Sequence, residues 1–271
     1  MRRLVGPITK VALIFAVLAA VAPKIALIYV ICGIYDVLRN TERTPELFEK
    51  YFLGEGLPFW LPSPVWLLSP LNTLLDLLSL PYLNKGNFAL GDLPKEHQDE
   101  IVRLIRSTRP RELIDQLQPA ASAERRSMFF FKYYGMNIEQ IVDLPELHDD
   151  YKWIVTIGVS VFNRRQSVSK HFGPLRATFR ILYNVNDMVD DSSYIVVGRC
   201  KHYWRSDKLF IFDDTLFHQS VNDSDIPRYC LFVDIIRPTI FHFVFKALVH
   251  IVGRLTSNGP NKLFFLQWKV F

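Results

Sequence analysis

The sequence predicts a mainly β protein, a sandwich or jelly roll of short strands with helices and apolar segments flanking it. Three observations predict it. Six runs rich in β-branched and aromatic residues follow one another between residues 127 and 238, separated by Gly, Asn, Asp, Ser and Pro. No helical period lies between them, which argues against an α/β sheet. The long apolar stretches fall outside this part, before residue 92 and after residue 239.

The N-terminal 40 residues are apolar from Val11 to Tyr35 apart from Pro23 and Lys24. A membrane-spanning helix needs roughly 20 apolar residues, so the length suffices. A lysine near the middle is unfavourable by about 2.5–3.5 kcal/mol, which leaves a span kinked at Pro23 or a hairpin returning at Pro23-Lys24. Arg2 and Arg3, the apolar run and the small Ala20 and Ala22 also fit a secretory signal. The preferred expectation is a membrane anchor over 1–40. Residues 41–92 follow as a Trp/Pro-rich segment in which Trp60 and Trp66 suit the headgroup level of a bilayer. A core helix over 65–80 fits the same letters.

From residue 93 the spacing of Ile101, Leu104, Ile105, Leu113, Ile114 and Leu117 predicts helix, broken at Pro110. The strand runs come next, at 127–135, 151–162, 177–185, 193–204, 208–214 and 228–238. Together 93–239 form the expected jelly-roll domain. The C-terminal 240–271, with Lys246 and Arg254 among bulky apolar residues, predicts an amphipathic segment on a membrane or on the core.

Composition narrows the function classes. The chain has 271 residues, 49% of them hydrophobic, and a net charge of +5, which suits an anionic partner such as a phospholipid surface. Its basic residues lie beside apolar segments and not in a stripe with stacking aromatics, which argues against nucleic acid. Cys32, Cys200 and Cys230 have no CxxC spacing, so neither a zinc ribbon nor a disulfide framework is expected, and a reducing compartment fits.

The stretch 211–238, IFDDTLFHQSVNDSDIPRYCLFVDIIRP, sets His218 after two acids and Arg228 ten residues later, within strand-like runs. A buried charge is costly unless paired, so Arg228 needs an anion or an exit to water. His171 opens HFGPLRATFR at another strand entrance. In a double-stranded barrel, strands remote in sequence lie side by side, so two such histidines can share one metal. Spacing alone favours two unrelated histidines, since neither HExxH nor HxH is present.

These two stretches resemble the aspartyl/asparaginyl β-hydroxylase family over roughly residues 125–239. The elements in common are His-x-Gly-Pro, a Trp before a strand, Phe-Asp-Asp-x-x-x-His, the later Arg and Asp-x-x-x-Pro. The resemblance implies a double-stranded β-helix with Fe(II), the cosubstrate 2-oxoglutarate and O2. It implies that His171 and His218 are the iron ligands, with Gly173 where other oxygenases place a carboxylate. It implies that Arg228 clasps the far carboxylate of 2-oxoglutarate, a fork lysine does not reproduce. It sets Arg180 on the cosubstrate's other end and Ser160 as a hydroxyl beside it. Asp213 and Asp214 then hold His218 or its loop through hydrogen bonds. One departure stands out: where the family has a further histidine this chain has Leu182, followed by Tyr183, so Tyr183 or water substitutes or cosubstrate binding weakens.

The resemblance leaves the substrate open between Asp/Asn of a peptide and the acyl chain of a membrane lipid, as in the lipid A and ornithine-lipid hydroxylases. The absence of a sequence repeat and the apolar flanks favour the lipid, with Arg125, Arg126, Arg164, Arg165 and Lys170 near lipid phosphates. A cytoplasmic-membrane location with the site facing the cytosol follows as an expectation. The alternatives are an anchored peptide or amino-acid hydroxylase and a non-catalytic membrane scaffold.

Overall fold

A computed structural model describes residues 2–54, 62–80, 82, 85–138, 144, 147–257 and 269–271. Helices α1 (Arg2–Val21), α2 (Pro23–Arg39), α3 (Pro45–Leu53), α4 (Pro64–Leu67) and α5 (Ser69–Leu78) come first. After β1 (Asn87–Phe88) and a 3-10 turn come α6 (Lys95–Ser107) and α7 (Pro110–Ala121). The strands β2 (Arg126–Tyr133), β3 (Met136–Asn137), β4 (Ile154–Phe162), β5 (Gln166–Ser167) and β6 (Thr178–Asn184) follow. Then come β7 (Ser193–Val197), β8 (Cys200–Tyr203), β9 (Leu209–Phe212), β10 (His218–Asn222) and β11 (Arg228–Ile236), and finally α8 (His242–Ser257) and β12 (Lys269–Val270).

The strands make two sheets. The larger runs β1-β9-β6-β11-β4-β2-β12, with β3 on β2, and the smaller runs β5-β10-β7-β8. The period of two sorts the large sheet's side chains onto two faces. Val159 and Val161 of β4, Phe179 and Ile181 of β6, and Leu231 and Val233 of β11 face one core. Ile101 and Leu104 of α6, Leu113 and Leu117 of α7, and Phe245 and Val249 of α8 complete that core. The alternate residues Leu182, Phe210, Phe212 and Cys230 pack with Ile195 and Val197 of the small sheet. Burial on both faces is why β4 and β11 read as continuous apolar runs and not as an alternation. The mainly β architecture with flanking helices is as expected, and Pro110 begins α7 where it was expected to break the helix.

Two runs resolve more finely than their letters suggest. The run 193–204 is a hairpin, β7 and β8, turning at Gly198 with φ +55°. A β-carbon at Gly198 would run into Thr41 Oγ1, so the turn needs glycine both for its backbone and for the approach of the N-terminal segment. Strand β10, too polar to stand out, pairs with β7 and begins at His218 itself.

The N-terminus departs from expectation. No helix among the described residues is long and apolar enough to cross a membrane, which overturns the expected anchor over 1–40 and the membrane location that rested on it. The break at Ala22 separates α1 from α2, Pro23 takes the first position of α2, and the chain turns back as a hairpin. Ile14 and Phe15 of α1 and Tyr29 and Val37 of α2 pack around Tyr51, Val65 and Trp66. Trp66, expected at headgroup level, is 3% exposed and stacks on Phe15 at 5.4 Å. Trp60 lies outside the described residues, as does most of the aromatic C-terminal tail.

Candidate active site

His171 and His218 face each other in an isolated antiparallel bridge. His171 N donates to His218 O at 2.9 Å, and His218 N to His171 O at 3.0 Å. Directly opposed residues project to the same side of a sheet, and the ring centroids stand 4.3 Å apart. Each ring is oriented by the same local device. His171 Nδ1 meets Ser169 O at 2.9 Å, and His218 Nδ1 meets Leu216 O at 2.8 Å. A carbonyl only accepts, so each Nδ1 carries a proton, and Nε2 is the ring atom left to meet a metal. Burial, and then the neighbouring His171, hold His218 well below the ordinary imidazole range, so it is neutral at pH 7. Two pre-oriented imidazoles side by side are a donor set that suits a divalent transition metal. No third His, Cys, Asp or Glu joins them in a metal-binding group among the described residues.

Gly173 explains part of that arrangement. Its N–H donates to Asp214 O at 2.7 Å, and a β-carbon there would collide with the Asp214 carboxylate. A side chain at 173 and the carboxylate of 214 compete for the same space, and this chain gives it to Asp214. Burial raises the Asp214 carboxyl above its ordinary range; Arg180 offsets part of this, while Asp234 and Asp213 add to it. Asp214 Oδ1 is buried without a hydrogen-bond partner.

Around the pair lies a cavity of about 150 Å³ between the two sheets. At one end Arg228 is fully buried, with one Nη2–H donated to Ser220 Oγ at 2.9 Å. Its Cζ stands 4.4 Å from the centre of the Phe162 ring and 5.3 Å from that of Trp204. Arg228 Nε and Nη1 are buried without hydrogen-bond partners, and burial pulls the guanidinium down to about 10. This is a cation held on aromatic faces with donors unspent, the environment of an anion receptor. Ser160 also lines the cavity, its hydroxyl donating to Cys230 O at 3.3 Å.

Arg180 lines the same cavity in a different condition. Its Nε meets Asp234 Oδ1 at 2.6 Å and its Nη2 meets Asp214 Oδ2 at 2.9 Å, while Cζ lies 3.7 Å from the Phe232 ring centre. It braces the cavity wall between β6 and β11. Leu182, two residues on, faces the cavity. Tyr183 points the opposite way, into the helix-covered core, and so does not take the place of the family's histidine.

Sequence reasoning gave Asp234, the acid of Asp-x-x-x-Pro, no role, and it missed a buried cluster beside the turn that carries His218, formed by Asp36, Arg39, Asp76, Arg176 and Arg237 with Asp213. The signal was available: Asp36 and Asp76 are lone acids inside apolar runs.

His171 stands in its bridge ahead of β6, Arg180 on β6, His218 on β10 and Arg228 on β11. Residues 128–238 match the family model of aspartyl/asparaginyl beta-hydroxylase. That span contains all five expected site residues, Ser160, His171, Arg180, His218 and Arg228, and supports a hydroxylase reading of the strand-built part of the chain. A search of curated proteins finds no match. Among solved structures, AviO1 from Streptomyces viridochromogenes is similar at 14% identity, covering 58% of this chain and 89% of that one with a TM-score of 0.35. The viral collagen prolyl hydroxylase of Paramecium bursaria Chlorella virus-1, in its 2OG complex, shows 12% identity, 48% and 91% coverage and a TM-score of 0.32. The Schizosaccharomyces pombe Cnp3 cupin domain shows 8% identity, 32% and 56% coverage and a TM-score of 0.27.

Proposed function

We propose that the protein is an iron(II)- and 2-oxoglutarate-dependent hydroxylase of a C–H bond in an apolar chain, of the acyl type. The observation that carries the reading is Arg228, a buried guanidinium with unspent donors at the end of a cavity that opens onto the histidine pair. His171 and His218 would hold Fe(II) through their Nε2 atoms, with Nδ1 of each fixed on a backbone carbonyl. When bound there, Fe(II) supplies the redox chemistry by which O2, with oxidative decarboxylation of 2-oxoglutarate to succinate and CO2, places one oxygen on a substrate carbon.

The chain's own residues bind, orient and exclude water. Arg228 takes the far carboxylate of 2-oxoglutarate as a fork, with Ser220 fixing the plane of the guanidinium. Ser160 stands on the neighbouring strand β4, opposite Cys230. Phe162 and Trp204 keep the site dry, which strengthens the carboxylate–guanidinium contact. The apolar chain is supported by Met128, Phe172, Phe232 and Val252 in the cavity wall, where the charged Arg180, Asp214 and Asp234 are bonded to one another.

The matched family's description names aspartyl and asparaginyl hydroxylation, and this favours a peptide Asp or Asn side chain as the second reading. Mass spectrometry of lipid and peptide extracts from cells expressing the protein or its His218→Ala variant separates the two. A lipid class that gains one oxygen only with intact His218 supports the acyl reading. A peptide gaining that oxygen replaces it, and the absence of 2-oxoglutarate turnover by iron-loaded protein refutes both.

A further inference from the structure

Helix α2 does more than pack on the domain. Its last turn reaches the residues that lead into His218 and grips them one after another. Arg39 bonds to the Asp213 carboxylate, and its Nη1 donates to Thr215 Oγ1 at 3.2 Å. Asn40 Oδ1 accepts from Phe217 N at 2.9 Å, the peptide immediately before His218. Asn40 is itself fixed, its Nδ2 donating to Asp36 O at 2.9 Å. Within the turn, Asp213 Oδ1 accepts from Thr215 N at 2.9 Å and Thr215 Oγ1 at 2.6 Å.

Behind this grip stands a buried network of three arginines and three aspartates, formally neutral. Asp36 bonds to Arg176; Asp76 meets Arg176 Nη1 at 3.1 Å, Arg237 Nη1 at 2.9 Å and Arg39 Nε at 3.6 Å. Asp213 bonds to both Arg39 and Arg237. Arg176 Nε also donates to Thr215 Oγ1 at 3.2 Å. Removing one member of such a set leaves a buried charge uncompensated, so the arrangement is held as a whole.

We infer that Arg39 and Asn40 are positioning residues for His218, acting through Asp213, Thr215 and Phe217, so that the N-terminal helices belong to the metal centre's support. The reasoning rests on the iron reading above. His218 has its main-chain position set by the 213–217 turn and its ring set by Leu216 O, one residue from the Asn40 contact. Loosening α2 therefore tilts the Nε2 lone pair away from the one on His171. Groups that orient a metal ligand typically change metal affinity by about 10–100-fold when removed.

The test uses the full chain and Co(II) as probe, read by its visible d–d spectrum and by titration. Asn40→Ala and Arg39→Met are expected to weaken Co(II) binding by at least about tenfold and to alter the spectrum. Leu117→Ala opens a cavity in the helix-covered core, which includes no residue of α2 or of the 213–217 turn. It is expected to lower stability yet keep Co(II) affinity within about twofold, because it touches no ligand support. Should Arg39→Met fail to fold, Asn40→Ala carries the comparison alone. Unchanged binding and spectrum in the folded variants would overturn the inference while leaving the iron reading intact, as would an equal loss in Leu117→Ala. A wild-type chain that binds no Co(II) would sink the iron reading and this inference with it.

Discussion

Replacing Arg228 by Met is predicted to make the ligand-free protein more stable while abolishing its response to 2-oxoglutarate. Burial pulls the guanidinium well below its ordinary range, to about 10. At ~1.4 kcal/mol per pH unit this is a destabilisation of roughly 3 kcal/mol in the folded state. Below pH 10 both folded and unfolded chains hold the proton, so the whole of it is present at neutral pH; it lessens as pH rises above 10, where the folded form loses its proton first. Loss of the bond to Ser220 offsets about 1 kcal/mol. Arg228→Met should therefore melt a few degrees higher than wild type in a metal-free thermal scan. Adding 2-oxoglutarate at ~100 times its Kd raises wild-type stability by about 2.7 kcal/mol through linkage and the variant's not at all. Arg228→Lys keeps a charge without the fork and should respond weakly. A variant that melts below wild type, yet gains as much from 2-oxoglutarate, would refute the anion-receptor argument.

Other outcomes follow from the same geometry. Asp213→Asn should cost about 3–5 kcal/mol in urea melts at pH 7, since it strands Arg237 and Arg39 in the interior. Burial opposes ionisation of Asp213, but Arg237, Arg39 and Arg176 hold it far below the carboxylate range. Its stabilisation is present above the unfolded carboxylate range and lost as pH falls through it, and Asp213→Asn should flatten that acid limb. Asp214 is raised, so the folded form keeps a proton the unfolded chain has released, and stability declines as pH rises. Asp214→Asn should therefore gain on wild type between pH 5 and pH 8 in metal-free melts. Gly173→Ala should cost about 1–3 kcal/mol by crowding the Asp214 carboxylate, with Co(II) affinity falling in parallel in the same titration.

Much of the fold was legible because its signals are local. The runs at 127–135, 151–162 and 228–238 are strands β2, β4 and β11, and burial on both faces kept their apolar character unbroken. Strand β10 was not legible, since HQSVN carries four polar residues whose hydrogen bonds within the fold the letters do not show. At the site, His171, His218 and Arg228 stood out as residue types that a strand-rich core does not hold without a reason. Arg180 was expected on the cosubstrate's other end; it lines the cavity, and its engagement by Asp234, 54 residues away, depends on β6 pairing with β11. Side-chain direction decided Tyr183: it follows Leu182 and so faces the opposite side of the sheet.

The misreading of the N-terminus has the same cause in a sharper form. Hydropathy counts residues without regard to face, and α2 does present Leu27, Ile31, Ile34 and Leu38 outward. On its other side Asp36 and Arg39, three residues apart, share one helical face and meet Arg176 and Asp213, which lie 140 and 174 residues away in the chain. A span over 11–35 would carry Asp36 and Arg39 to the bilayer surface and strand their partners within the domain. Docked instead, the two charges complete a neutral set, and the anchor-like sequence becomes the wall against which the turn into His218 is fixed.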